Sequence, residues 1–542
     1  MPIAPLTESP VWKALREQAR AMAAPERHLS RLLDDPDRFN RFSVSGGGLF
    51  FDFSRQRLTQ ETLELLLQLA EARSAREMFG DMMAGAPLNI TEGRAALHTA
   101  TRDFGAAPIE TGGADAMPEI RRVRGQMAEF SRRVRAGEIR GATGKPFRHV
   151  VVVGIGGSYL GAEFVARALA ADADAGVALH FLANVDIHAF GELAGRIDPE
   201  TTLWVVISKS YTTAETLANT RQIYAFLSAA GLAPARHVVT VTSQGSPGDD
   251  PAHPVLATFH MFDYIGGRYS VSSAVGGVPL SLYLGWDRFE AFLKGAEEMD
   301  RHARDAAPDR NLPLLAALIG IWNNNFLGYP ALGIIPYAEP LGRLASHVQQ
   351  LYMESNGKRV AADGTPVDHD TGVIVFGEPG TNAQHSFFQL AHQGRPFPIE
   401  FLGVLQSRYP QYTEQSRGVT NHQELWANLI SQPMALAVGR DHDDPARRFP
   451  GNRPSSTLVL EALTPENIGR LLSFYEARTV YEAFIWGINP FDQFGVELGK
   501  TMAADVREEM ARKNENPDHE PEGLDPYRAF YTKLLFAGHC PE

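Results

Sequence analysis

The spacing of apolar residues changes along the chain and divides it. Over residues 1–115 it is mostly helical, as in Leu63, Leu66, Leu67 and Ala70, with Thr59 and Thr62 at the start of that helix. Between helices, Gly46-Gly-Gly-Leu-Phe-Phe-Asp-Phe53 reads as a turn feeding a short strand. Asn89, Thr91, Glu92 and Arg94 fall in a polar loop. From about residue 116 a basic helical segment, 121–140, leads to His149-Val-Val-Val-Val153, a β-branched run bounded by glycines. Strands are predicted again at 178–182, 203–207 and 237–242, with helices at 162–171, 186–194 and 212–230. Strand alternating with helix predicts a parallel α/β unit covered on both faces.

A second unit repeats the alternation without repeating residues. Helices are predicted at 312–326, 341–355, 386–392, 424–439 and 466–488. Strands are predicted at 331–336, 373–376, 398–402 and 456–461. The tail from 507 is rich in charge and Pro up to Pro526, then carries Phe530, Tyr531, Leu534, Leu535 and Phe536, and reads as a docking arm. The expected organisation is a helical region at 1–115, a smaller α/β domain at 116–290, a larger one at 291–505 and an arm at 506–542.

Composition narrows the function. The 542 residues can bury a large core, and 44% hydrophobic with 21% charged residues is ordinary for a globular chain. A balance of 51 basic against 64 acidic residues argues against nucleic acid as the main partner. One cysteine, Cys540, allows no intrachain disulfide and no cysteine zinc cluster. The early charges Glu8, Lys13, Arg16 and Glu17 do not fit a signal peptide. The longest apolar run, 312–322, is too short for a bilayer, so a cytoplasmic protein is expected.

Candidate chemistry centres on Gln350-Gln-Leu-Tyr-Met-Glu-Ser-Asn-Gly-Lys358. Leu344, Val348, Leu351 and Tyr352 share an apolar helix face, and Gln350 and Glu354 lie four apart beside it. Asn356-Gly357 is expected to end the helix with left-handed residues. A half-buried carboxylate near a helix C-terminus has its charge disfavoured, which suits a general base. Gly154-Ile-Gly-Gly-Ser-Tyr-Leu-Gly161 follows a strand and opens a helix, so Gly156 and Gly157 could offer amides to an anion while Ser158 caps the helix. The dinucleotide spacing fails there, because Tyr159 stands where the third glycine belongs. Ser208-Lys-Ser-Tyr-Thr-Thr-Ala-Glu-Thr216 carries five Ser or Thr hydroxyls and a lysine ahead of a helix. Thr212 and Glu215 match a capping box, but the spare hydroxyls and Lys209 suit a phosphate monoester. No Walker lysine motif accompanies them.

Three further segments add a cation, a histidine and a lysine. Arg268 sits at the centre of a Gly- and Ser-rich turn, 263–276; His385 lies in a loop at the entry to a helix. Gln493, Glu497 and Lys500 are expected on one helix face after Pro490.

Taken together, six segments in order, within about 120–500, resemble the glucose-6-phosphate isomerase (phosphoglucose isomerase) family: 154–161, 208–216, 263–276, 350–358, 380–390 and 487–500. The resemblance implies two sugar-isomerase (SIS) domains, no cofactor or metal, and a homodimer with shared sites. It implies interconversion of D-glucose 6-phosphate and D-fructose 6-phosphate through a cis-enediol. Glu354 would move the proton between C2 and C1. His385, from the partner subunit, would open the ring with Lys500 assisting, and Arg268 would steady the enediolate. Ser208, Lys209, Ser210, Thr213 and Thr216 would hold the phosphate, with Gly157 and Ser158 nearby and Gln350 and Gln493 along the sugar. Tyr159, Ser210 and Phe494 depart from the family pattern, where Asp, Thr and Trp are common, and none is a proposed proton-transfer residue. The rival readings are an isomerase of another sugar phosphate and a non-catalytic sugar-phosphate sensor.

Overall fold

The computed structural model describes residues 5–173 and 176–541. The chain forms two compact units, 1–491 and 492–542.

The first unit contains two sheets. One has five strands in the order Ala178–Leu182, His149–Val153, Thr202–Ile207, Val238–Ser243, Ala257–Met261, and all its pairs are parallel. Val150 to Val153 and Leu203 to Ile207 are fully buried, as helices on both faces require of such strands. Strand order reverses between His149–Val153 and Thr202–Ile207. The loops leaving these two strands, which begin at Gly154 and Ser208, therefore flank a switch-point crevice. The fifth strand was not expected. Its mixed sequence, Ala-Thr-Phe-His-Met, is that of an edge strand with only one neighbour.

The second sheet runs Ser43–Gly46, Leu49–Asp52, Ser455–Leu460, Ile399–Val404, Ala331–Pro336, Ile374–Phe376. Its last four strands are parallel, and the N-terminal hairpin completes it antiparallel. The turn expected at Gly46 thus joins the N-terminal region to this sheet. Behind it lie the long helices Trp286–Asp305 and Pro465–Trp486. No helix of the described residues is long and apolar enough to cross a membrane.

Arg102 is wholly buried against these helices, bonded to both oxygens of Asp300 (2.6 and 2.8 Å) and to Glu476 (2.6 Å). His347, in Leu344–Gln349, is buried against Phe164, with ring centroids 5.8 Å apart. Burial lowers its pKa from 6.5 to about 4. The unfolded chain therefore binds the extra proton first as pH falls. His347 stabilises the fold above pH 6.5, and that contribution, about 3 kcal/mol, is lost between pH 6.5 and 4. Thermal midpoints across that range are expected to fall steeply for the wild type and less steeply for His347→Leu.

The second unit is the helix pair Glu497–Glu515 and Pro526–Ala537. Glu509 organises its turn, accepting from the Glu522 amide (3.0 Å), His519 (2.7 Å) and Arg512 (2.7 Å). The helix expected after Pro490 begins only at Glu497, so Gln493 precedes the helix that carries Lys500 rather than sharing its face.

Candidate active site

The stretch carrying Glu354 is not a regular α-helix. Leu344–Gln349 is α-helical, and Gln350–Glu354 is a π turn, in which one extra residue is accommodated. Leu344, Val348, Leu351 and Tyr352 are buried as their spacing predicts. Asn356 and Gly357 do not end the helix in the left-handed region; the Gly357 amide instead closes back on the Met353 carbonyl at 3.0 Å.

Glu354 keeps a quarter of its side chain exposed and is held from two sides. Arg268 Nη1 donates to its Oε1 at 2.9 Å, and Gln350 Nε2 donates to its Oε2 at 2.9 Å. The four-residue spacing of Gln350 and Glu354 thus does bring their side chains together. The guanidinium partner was not part of the helix-based reading, because it arrives from a loop 86 residues away.

Arg268 is itself fixed. Its side chain is 1% exposed; Nε donates to Ser355 Oγ at 2.6 Å, and Nη2 donates to the Pro490 carbonyl. Ser355 Oγ also lies 2.9 Å from the Tyr269 hydroxyl. Sequence reasoning missed Ser355, Tyr269 and Pro490. The available signals were adjacency, Ser355 beside Glu354 and Tyr269 beside Arg268, and the place of Pro490 in the 487–500 segment.

The anion-turn candidates meet this group. Gly156 has φ +58°, and a side chain there would press on Gln350 Nε2. Gly157 packs on the Gly267 backbone: a Cβ at 157 would strike the Gly267 carbonyl and come within 2.7 Å of the Arg268 amide. Gly157→Ala is therefore expected to displace the Arg268 loop and lower kcat by about tenfold, a 1.4 kcal/mol effect. Steady-state kinetics check it; unchanged kcat would mean the loop moves without cost. Ser158 does not cap the following helix; Gly156–Ser158 is a 3₁₀ turn and Tyr159 takes the cap position.

At Ser208–Thr216 no capping box forms. Thr213 is the N-cap and makes no side-chain cap bond, while Thr212 bonds Ser210 between hydroxyls at 2.7 Å. Ser208 Oγ instead accepts from the Tyr211 amide (3.1 Å), and Tyr211 adopts φ +53°, a strained conformation for an aromatic residue. Ser210 and Thr212 are exposed, Thr213 is half-buried, and Thr216 is buried. Lys209 Nζ donates to the carbonyls of Asp263 (2.9 Å) and Ile265 (3.4 Å), tying this turn to the Arg268 loop. Burial, with the Arg94 charge nearby, pushes the Lys209 ammonium below its ordinary pKa. A bound dianion would reverse that penalty.

His385 ends the 3₁₀ turn Ala383–His385 and is exposed, with no hydrogen bond to Glu354 or Gln350 in its own chain. Gln493 and Lys500 belong to the second unit.

Loops from the first sheet thus meet a π turn beside the second around one carboxylate, the arrangement of an α/β protein of the sugar-isomerase type. The family model described as phosphoglucose isomerase matches residues 52–524, and the chain belongs to that family. A Desulfosudis oleivorans protein named glucose-6-phosphate isomerase is 62% identical over 534 residues, 98% of each chain. A Zea mays protein named cytosolic glucose-6-phosphate isomerase is 44% identical over 521 residues, 92% of this chain and 91% of the relative. A crystal structure of a glucose-6-phosphate isomerase from Chlamydia trachomatis matches with a TM-score of 0.89 at 36% identity, covering 99% of this chain and 100% of that one.

Proposed function

We propose that this protein interconverts D-glucose 6-phosphate and D-fructose 6-phosphate by proton transfer through a cis-enediol, in the cytosol, as a homodimer. The observation that carries this reading is Glu354 held between Arg268 and Gln350 beside a hydroxyl-rich, lysine-bearing turn. The names of the Desulfosudis and Zea mays relatives agree with it.

Ser208, Lys209, Ser210, Thr213 and Thr216 take the phosphate, with Gly157 and Ser158 beside it. That grip on an unreactive group holds the open chain in register. Gln350 and Gln493 line the sugar. Substrate oxygens O1 and O2 compete with Glu354 for the Arg268 Nη1 donor, which frees Glu354 Oε1 to take the C2 proton and return it at C1 while the hydroxyl proton passes from O2 to O1. The guanidinium, already fixed by Ser355 and Pro490, meets the enediolate charge with little reorganisation. Ring opening falls to the partner subunit's His385, assisted by Lys500; the exposure of His385 supports a role across subunits.

The reaction is tested by proton NMR of fructose 6-phosphate with pure protein and EDTA in heavy water. Glucose 6-phosphate deuterated at C2 is the expected product; saturable binding without product would favour a sensor. Site sharing is tested by mixing Glu354→Gln and His385→Asn proteins after subunit exchange. Each heterodimer would hold one intact site, so activity should return to about a quarter of wild type. No recovery, with heterodimers present, would place His385 and Glu354 of one chain in one site.

A further inference from the structure

We infer that Tyr352 is a positioning residue for Glu354: its hydroxyl fastens the π turn that carries the base to Glu482 in the helix behind it. The inference rests on the isomerase reading, and the experiment below separates the two.

A π turn is rare and holds only where its surroundings support it. Here the supports lie two residues on either side of Glu354. Before it, the buried Tyr352 hydroxyl donates to Glu482 in helix Pro465–Trp486. After it, Asn356 Nδ2 donates to the Thr479 carbonyl of the same helix at 3.2 Å. Glu482 is a rigid anchor. Its side chain is wholly buried, and its Oε1 accepts from Arg478 Nε at 3.2 Å. Arg478 Nη1 in turn donates to Glu400 Oε2 at 2.9 Å, on the inner strand Ile399–Val404. The Tyr475 hydroxyl also donates to Glu400, at the far end of this chain of contacts.

Tyr352 lines a cavity of about 20 Å³, shared with Gly320, Asn323, Glu400 and Arg478. Once the hydroxyl loses its anchor, the ring has space into which it can shift, and the π turn can follow. Glu354 would then leave its geometry with Arg268 and Gln350 while the phosphate turn, on the other sheet, stays in place. The expected signature is a loss in kcat with KM preserved.

The test compares Tyr352→Phe with Tyr475→Phe in the full-length protein. Both remove one buried hydroxyl from the same network, but only the first touches the π turn. Tyr352→Phe is expected to lower kcat by about tenfold, keep KM within about twofold, and raise the deuterium isotope effect from C2-labelled glucose 6-phosphate. Tyr475→Phe is expected to lower the thermal midpoint similarly and leave kcat within about twofold. If Tyr352→Phe does not fold, Glu482→Gln and Glu482→Met carry the test. The first keeps an acceptor and should retain kcat, while the second should reproduce the loss. Equal effects of the paired variants on kcat, or none, would overturn the inference. A wild-type protein without isomerase activity would instead refute the reading on which it rests.

Discussion

Glu354→Gln is expected to lose at least ~10²-fold in turnover while still binding fructose 6-phosphate. The amide has nearly the same shape, so the phosphate turn and the Arg268 loop need not move. Its oxygen can still accept from Arg268 or from Gln350, but not from both as the carboxylate does, and it cannot take up a proton. Ground-state binding rests on contacts elsewhere, so KM should change little compared with kcat. Glu354→Asp is the companion variant: it keeps the base but withdraws it by one methylene, and should lie between the two. Turnover unchanged in Glu354→Gln would remove Glu354 from the reaction.

Arg268→Ala is expected to cost about 10²–10³-fold in kcat, the size of effect seen when a preorganised donor to a developing oxyanion is removed. Three contacts make the guanidinium a prebuilt charge: Ser355 Oγ, the Pro490 carbonyl and Glu354 itself. Arg268→Lys keeps the charge but cannot span these partners with one planar fork, so it should recover only part of the loss. Deleting Arg268 also leaves Glu354 Oε1 without the donor that fixes its position, so the base loses alignment as well. Unchanged kcat would mean that the enediolate is stabilised by another group.

Much of the fold was legible in the sequence because its signals are local. The run His149 to Val153 needs burial on both faces, and the structure sets it inside a parallel sheet. The apolar spacing of Leu344, Val348, Leu351 and Tyr352 placed the buried face of the stretch that carries Glu354, and the interval between Gln350 and Glu354 brought their side chains into contact. Motif order along the chain was enough to point to the family.

Other features were decided by contacts that local pattern does not encode. The π turn at Gln350–Glu354 is paired with partners from helix Pro465–Trp486, more than a hundred residues later. Residue type suggested a helix cap at Ser158 and a capping box at Thr212 and Glu215; there the turns instead follow their tertiary neighbours, the Gly267 backbone for one and the Asp263 and Ile265 carbonyls for the other. Sequence by itself determined most of the strands of the two sheets and which of their residues face inward, since each depends on neighbours a few positions away. Only the tertiary structure decided that Arg268 faces Glu354 and that Ser355 and Pro490 hold it there, because those contacts exist only once two sheets have folded against each other.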